Sequence, residues 1–228
     1  MTEVLDHTPD THDDPMPDWN RVFERIDVLK LPDETNERAD DIARNFATGT
    51  DIEMFGKAIH DVVVPDIESM AADYAVKVGG EKTAEPEERA EIYEQAAEYI
   101  KQLDTLRRAE GDSEEFLRRA ANVIALSMVG AHTYENGNGR TARVMAELIR
   151  HGSNNKADLM VLATERDISQ KQQGGFRIYS YVPSWRSKEQ GVSIQDTIRA
   201  AASVDIPLSQ KQTYLERTQD MYTTPYGG

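Results

Sequence analysis

A histidine followed by glycines, asparagines and two arginines lies near the middle of the chain, in residues 131–145, AHTYENGNGRTARVM. The Gly-Asn-Gly segment at 137–139 lets consecutive backbone N–H groups turn inward, which forms a nest for an anion. Arg140 and Arg143 lie three residues apart at the start of the next predicted helix, so they share one face. Helix N-termini and arginine side chains both bind phosphate. The spacing therefore predicts a phosphate site, with His132 beside it to accept a proton or bind an anion.

The two arginines stand where cations oppose helix formation. The N-terminus of a helix is the positive end of its macrodipole, so each cation there costs about 0.3 kcal/mol or more. The alternative is an ordinary helix–loop–helix turn, in which Asn136 or Asn138 is the N-cap and Arg143 pairs with Glu147. Charge by itself favours the anion site only modestly over this alternative.

The helix before the motif has to position the histidine. Residues 116–131, FLRRAANVIALSMVGA, are apolar on every side in their second half, which is typical of a helix buried in the middle of a fold. Asp112 or Ser113 is expected to cap it. After the glycine-rich loop, residues 140–150 form the next predicted helix. The motif thus joins a rigid buried helix to a second helix.

Helical periodicity recurs along most of the chain and predicts further helices at 19–29, 33–46, 51–60, 87–108, 193–203 and 209–221. The helix over 51–60 is expected to be capped by Thr50 or Asp51 and to end at His60, a surface residue or dipole partner. In residues 74–83, YAVKVGGEKT, alternating residues and a Gly-Gly pair predict a β-hairpin. We therefore expect an all-α fold with one small β-hairpin.

Composition excludes several classes of protein. The chain has 228 residues, of which 39% are hydrophobic, enough for a large domain with a core. Its net charge of -15 repels phosphate backbones and anionic lipid, so no nucleic-acid or membrane partner is expected. There is no cysteine, which excludes disulfides, zinc–thiolate sites and cysteine nucleophiles. No secretory signal and no apolar run of roughly 20 residues is visible, which favours a cytoplasmic protein.

Three parts are expected along the chain. Residues 1–18 carry six acidic side chains, three prolines and no lysine or arginine, which is typical of a disordered acidic tail. Residues 19–165 contain the helical segments around the motif and are expected to form the main domain. Residues 166–228 are less regular and are expected to be a C-terminal helical extension.

The motif, HTYENGNGRTAR from His132 to Arg143, resembles the signature of the Fic family, H-x-F-x-(D/E)-G-N-G-R-x-x-R. The resemblance extends more weakly over about residues 50 to 160. It implies a Fic-like helical bundle within residues 19–165. It also implies that the hairpin is a flap that holds a target segment by strand addition, through Val76, Lys77, Val78 and Gly79.

The resemblance implies transfer of AMP from ATP, as co-substrate, to a hydroxyl of a target protein, with release of pyrophosphate. His132 would be the general base for the Ser, Thr or Tyr hydroxyl of that target. The phosphates would be held by the residues that follow: Gly137, Asn138, Gly139, Arg140 on the β-phosphate side and Arg143 at the γ-phosphate.

Three positions depart from the signature. Asn136 stands where the family has the acidic residue that holds Mg²⁺; an amide oxygen can ligate this hard cation but brings no charge. Glu135 lies one position early and is a substitute candidate. Thr133 occupies a position that is commonly proline, and Tyr134, at the phenylalanine position, is expected to be a core anchor. We therefore expect weakened Mg²⁺ binding and lowered activity.

Three hypotheses about function follow. The first is an active AMP transferase, and the second is a degenerate Fic domain that binds a nucleotide or a partner protein without catalysis. The third, an accidental motif on a helical domain, is disfavoured by six matched positions. The family's inhibitory segment, (S/T)-x-x-x-E-(G/N), has no match; residues 83–88, TAEPEE, come nearest. If the activity is inhibited, we expect a separate, antitoxin-like protein to do it.

Overall fold

The computed structural model describes residues 31–64, 77–78, 81–82, 84–135, 137–153 and 194–203. Within them the chain forms α1 (Thr35–Asn45), α2 (Gly49–Val63), β1 (Lys77–Val78), β2 (Glu81–Lys82), α3 (Pro86–Glu110), α4 (Ser113–Ala131), α5 (Asn138–His151) and α6 (Ile194–Ser203). The expected all-α fold with one hairpin is confirmed. The acidic tail, the predicted helices at 19–29 and 209–221, and most of the C-terminal extension lie outside the described residues.

The helix that leads into the motif is the centre of the core. Every residue from Ala120 to Tyr134 is buried, as the all-round apolar sequence predicts. α4 packs against α3, α5 and α6 and also touches α1 and α2. It begins at Asp112, whose side chain accepts a hydrogen bond from Glu115 N at 2.9 Å. Of the two predicted caps, Asp112 is therefore the one used.

The hairpin lies directly before α3 in the chain. β1 and β2 pair antiparallel, with Lys77 opposite Lys82 and Val78 opposite Glu81. Two of the four expected flap residues, Val76 and Gly79, lie outside the described residues. After the second strand, Ala84 N donates a hydrogen bond to Gly130 O at 3.2 Å, in the last turn of α4. This bond ties the end of the hairpin to the helix that carries His132.

The start of α2 is set by its packing against α3. The N-cap is Thr48, not Thr50 or Asp51 as predicted, because Thr48 and Asp51 exchange side-chain and backbone hydrogen bonds in a capping box. A Cβ on Gly49 would lie 2.6 Å from Glu94 N, so only glycine lets the two helices approach here. Gly49 N also donates to Glu94 Oε2 at 2.9 Å.

A helix that crosses a bilayer must be both long and apolar. None of the described helices combines the length and the apolar composition that this requires.

Candidate functional site

His132 is the residue with which α4 ends. Its backbone N–H donates to Met128 O at 3.0 Å, and its φ of 45° places it in the left-handed region. Among the described residues it is the one non-glycine residue with positive φ. That conformation costs about 1 kcal/mol for a residue with a Cβ, and such strain is concentrated at functional sites. The buried helix therefore presents this histidine in an unusual, tightly held geometry.

The environment of His132 keeps its imidazole neutral. The side chain is 5% exposed, and this burial lowers the pKa of His132 from 6.5 to about 4. A hydrogen bond with the backbone of Val129 acts in the opposite direction, while the positive charge of Arg89 lowers the pKa further. Arg89 is itself buried, on the second turn of α3. At neutral pH the histidine is therefore unprotonated and able to accept a proton.

The residue after the histidine is held by α3. The hydroxyl of Tyr93 lies 2.7 Å from Thr133 Oγ1 and 3.3 Å from Met128 Sδ. Tyr93 and Thr133 are both buried, and burial raises the pKa of the Tyr93 hydroxyl above its usual value, so it stays protonated. Tyr93 was not among the residues predicted for the site, and within the predicted helix 87–108 nothing in the sequence distinguishes it.

Asn138 closes the loop with its side chain. Its Nδ2 donates to Tyr134 O at 2.6 Å, and its Oδ1 accepts from Tyr134 N at 3.1 Å. Asn138 was expected to bind phosphate, but its side-chain amide is hydrogen-bonded to the backbone of the loop. The group of Asn138 that can donate to an anion is its backbone N–H at the start of α5. Tyr134 is 4% exposed, so its expected role as a core anchor is confirmed.

His60 belongs to the same site, contrary to the expectation of a surface residue. It is fully buried, and its ring stacks on that of Tyr134 with centroids 4.0 Å apart. The expectation was wrong because the last turn of α2 packs under the motif loop, which its position at a helix end does not reveal. His60 and Val64 also face Gly137: a Cβ there would lie 2.4 Å from Val64 Cγ2 and 3.1 Å from His60 Nε2.

Gly137 is the N-cap of α5, with φ of 80°. The alternative caps, Asn136 and Asn138, are not used: Asn138 is the first helical residue, and Asn136 lies outside the described residues. A side chain at position 137 would require both a strained backbone and displacement of its neighbours. The glycine therefore lets the loop turn into the helix while pressed against α2.

The start of α5 differs electrostatically from the other helix starts. It has neither a side-chain cap nor an acidic residue in its first turn. Each of the other five described helices has at least one acid there: Glu37, Asp51, Glu87 with Glu88, Glu114 with Glu115, and Asp196. The first turn of α5 has Arg140, half-buried, and Arg143 is buried one turn later on the same face. The charge of Arg140 has the same sign as the N-terminal end of the helix dipole.

The alternative of an ordinary helix–loop–helix turn requires Glu147 near Arg143. Glu147 is fully buried one turn after Arg143, and its Oε1 lies 3.8 Å from His151 Nδ1. Glu147 lies in the second half of α5, beyond the first turn where acids offset the dipole. It is placed to accompany Arg143 inside the fold, whereas Arg140 stands in the first turn without an acid beside it.

The described part of the loop contains one exposed carboxylate that could ligate a magnesium ion. No group of three or more acidic or histidine side chains suited to a metal occurs in the part of the chain that the structure describes. Mg²⁺ needs no such cage, since it is commonly held by one or two side-chain oxygens, phosphate oxygens and waters. Glu135, next to Asn136, is exposed and can supply one such oxygen.

Comparison with known proteins gives one family. The model of the Fic/DOC family matches residues 53–149, which is less than half of the chain. The matched segment begins in α2, ends in α5 and includes the hairpin, His132 and both arginines. No curated protein and no solved structure was found to match the chain.

Proposed function

We propose, from the premise that residues 53–149 form a Fic/DOC domain, that the protein is a nucleotidyltransferase. It takes ATP as its co-substrate and moves AMP, or another phosphoryl-containing part of the nucleotide, to a Ser, Thr or Tyr hydroxyl of a target protein. The observation that carries this proposal is the start of α5, where Arg140 stands in the first turn in place of the acids found at the other described helix starts and Arg143 follows one turn later. An anion bound there stabilises an arrangement that is otherwise electrostatically unfavourable.

The start of α5 would hold the polyphosphate of ATP. The first N–H groups of an α-helix have no acceptor within the helix, so those of Asn138 and Gly139 are oriented toward an incoming anion. Arg140 would neutralise the β-phosphate and Arg143 the γ-phosphate. These two groups leave as pyrophosphate, so the arginines act on the charge that develops as the bond to the α-phosphate breaks.

His132 would act as the general base. Its neutral imidazole takes the proton of the target hydroxyl while that oxygen forms a bond to the α-phosphorus. The bond from the α-phosphorus to the bridging oxygen breaks at the same stage, and its electrons leave with pyrophosphate. A pKa of about 4 makes the free histidine a weak base. The negative charge of bound ATP favours the imidazolium, so nucleotide binding raises this pKa toward neutrality.

Mg²⁺ would be held by the phosphates of ATP and by a side-chain oxygen of Asn136 or Glu135. When bound, it neutralises phosphate charge during the transfer. Because an amide is uncharged, we expect weaker binding by Asn136 than by a carboxylate.

The hairpin would hold the target. An extended segment of the target protein can add to a sheet edge by backbone hydrogen bonds, which leaves its side chains free for recognition. In the proposal, the strand of Lys77 and Val78 provides this edge. The bond from Ala84 to Gly130 places the end of the hairpin two residues from His132 along α4. We extend the proposal to a cytoplasmic protein restrained by a separate inhibitory protein.

Intact-mass spectrometry after incubation with ATP and Mg²⁺, and labelled ATP with lysate, test the proposal. We expect AMP on the protein itself or on a lysate protein, and a loss of about 10²- to 10⁴-fold in rate for His132→Ala. His151→Ala, at the exposed far end of α5, is the matched control and should keep the wild-type rate. Transfer that is unchanged in His132→Ala would show that this histidine is not the base.

Nucleotide binding without transfer is the second candidate function. It is favoured by the side chain of Asn138, which is used by the loop itself, and by the uncharged Asn136. Calorimetry with ATP, with and without Mg²⁺, tests it. This candidate is supported if the affinity of the wild-type protein for ATP does not depend on Mg²⁺ and if Asn136→Asp gains both metal dependence and transfer activity. Rapid transfer by the wild-type protein refutes it.

A further inference from the structure

Tyr93 contacts both residues that fix the backbone of His132. On the preceding side, Met128 O accepts the backbone N–H of His132, and Met128 Sδ lies 3.3 Å from the Tyr93 hydroxyl. On the following side, Thr133 is bonded to His132 and its Oγ1 lies 2.7 Å from the same hydroxyl. One phenol on α3 therefore contacts the residue next to the strained histidine and the residue that accepts its hydrogen bond.

The bond between the two hydroxyls lies in the protein interior. Tyr93 is 1% exposed and Thr133 is 4% exposed. A buried hydroxyl without a partner costs about 1 to 3 kcal/mol. Thr133 Oγ1 has the Tyr93 hydroxyl as its partner, whereas the Tyr93 hydroxyl also contacts Met128 Sδ, a weak acceptor. A proline at this position would restrict φ through its ring, whereas threonine leaves φ unrestricted by any ring. The conformation of the chain directly after His132 is therefore set by a side-chain contact with another helix.

The other anchors of the loop act further along it. Asn138 bonds to the backbone of Tyr134, and His60 stacks on the Tyr134 ring. Gly137 is packed against the end of α2. These contacts hold the turn into α5, whereas the contact from Tyr93 lies at the junction where the left-handed φ of 45° occurs.

We propose that Tyr93 is a positioning residue, which acts through Thr133 to keep His132 in its left-handed conformation at the end of α4. The inference rests on the proposed function for its consequence in catalysis. Its consequence for the conformation of His132 holds with or without transfer activity. A misplacement of about 1 Å in a catalytic group can cost on the order of 10²-fold in rate, so a contact one residue away can matter.

Three single substitutions and one double substitution test the effect on catalysis. Tyr93→Phe removes one hydroxyl and keeps the ring, Thr133→Val removes the other, and Thr133→Ser keeps a hydroxyl. We expect kcat for AMP transfer to fall about 10-fold or more in the first two, with KM for ATP within twofold of wild type. Thr133→Ser should retain most of the activity. Tyr99→Phe, at a half-buried tyrosine on the same helix, is the matched control.

The double variant separates positioning from stability. Tyr93→Phe leaves the buried Thr133 hydroxyl without Tyr93, and Thr133→Val leaves the Tyr93 hydroxyl with only the weak acceptor Met128 Sδ, whereas the double substitution removes both hydroxyls. We therefore expect the double variant to be more stable than either single variant, while its kcat stays low. A kcat that recovers together with stability would overturn the inference, because the contact would then serve folding alone.

The titration of His132 gives a readout without catalysis. In a protein labelled at its histidines, the His132 resonance can be assigned by its loss in His132→Gln and followed against pH. We expect Tyr93→Phe to raise the pKa of His132 from about 4 toward 6.5, as a looser junction admits water, and Tyr99→Phe to leave it unchanged. If the wild-type protein transfers no AMP, the proposed function fails and this titration decides the inference by itself. An unchanged His132 titration in Tyr93→Phe overturns it.

Discussion

The two ends of α5 can be compared directly, since each has a glycine with positive φ and arginine side chains nearby. At the C-terminal end, Arg38 Nε donates to Ile149 O at 3.0 Å and its Nη2 donates to Arg150 O at 2.9 Å. A cation there neutralises the negative end of the dipole and satisfies carbonyls that the helix leaves open. At the N-terminal end, Gly137 caps without a side chain, and the first charge is that of Arg140.

The two ends differ in how the arginine charge relates to the helix dipole. Arg38 is buried and its guanidinium also donates to the carbonyls of Pro32 and Asp33, so its donors are used within the protein. At the other end, the dipole and the charges of Arg140 and Arg143 have the same sign. We expect a polyanion to complement such an end.

Arg38→Ala should strongly destabilise the fold. It removes charge-assisted hydrogen bonds to four backbone carbonyls, some of them buried, so we expect the free energy of unfolding to fall by about 4 kcal/mol. Denaturant titration measures this. Arg44→Ala, at an exposed arginine on the same helix, should change the stability by less than about 0.5 kcal/mol. Equal effects of the two substitutions would contradict the assigned role of Arg38.

Gly137→Ala should be the most disruptive small change at the N-terminal end. It combines a left-handed φ of 80° with a Cβ placed 2.4 Å from Val64 Cγ2, so we expect a loss of about 3 kcal/mol. Gly111→Ala is the matched control, because its φ is 78° and its added Cβ would meet nothing within 4 Å. It should lose only about 1 kcal/mol. Thermal or denaturant unfolding of both variants tests whether packing against α2 adds to the backbone strain.

The stability of the protein should depend on pH through His132. Its pKa of about 4 in the folded protein lies below the unfolded value of 6.5, so unfolding takes up a proton in that range. The contribution is present above pH 6.5 and is lost as the pH falls toward 4. Between pH 7 and pH 5 this amounts to about 2 kcal/mol. Denaturant titrations of wild type and His132→Gln at both pH values isolate the contribution of His132. If the free energy of unfolding changes equally with pH in the two proteins, the histidine is not buried in its neutral form.

Charge removal should have opposite effects on stability at the two ends. Arg140→Gln removes a cation from the positive end, so we expect the stability to rise by about 0.3 kcal/mol while the affinity for ATP falls roughly 5- to 10-fold. Arg150→Gln removes a cation from the last turn of α5, so the stability should fall by a similar amount and the affinity should stay the same. Calorimetry with ATP and denaturant titration give the two quantities. An ATP affinity that is equal in both variants would argue against an anion site at the start of α5.

Much of the local structure could be predicted because its signals are local. The predicted helix at 87–108 is observed as Pro86–Glu110, and that at 33–46 as Thr35–Asn45. The hairpin follows from alternating residues before a Gly-Gly pair. The cap of α2 was misplaced by a few residues, because several polar residues near its start can serve and packing against α3 selects Thr48.

The candidate site could be predicted only in part. The spacing of His132, Arg140 and Arg143 is a local pattern, and it led to the proposal of an anion site. His60 and Tyr93 contribute to the same site from other helices, and each of them reads in the sequence as an ordinary helical residue. Arg38 contacts carbonyls more than 100 residues away, so no local pattern could indicate its role.

The helical class, the buried helix before the motif and the positive start of α5 follow from the sequence, because periodicity and charge act over a few residues. The groups that hold the histidine follow from the packing of the helices. Tyr93 reaches Thr133 from α3, and His60 stacks on Tyr134 from α2. The tertiary structure also shows that the side chain of Asn138 holds the loop. These contacts depend on how helices distant in sequence pack together, which a local pattern does not encode.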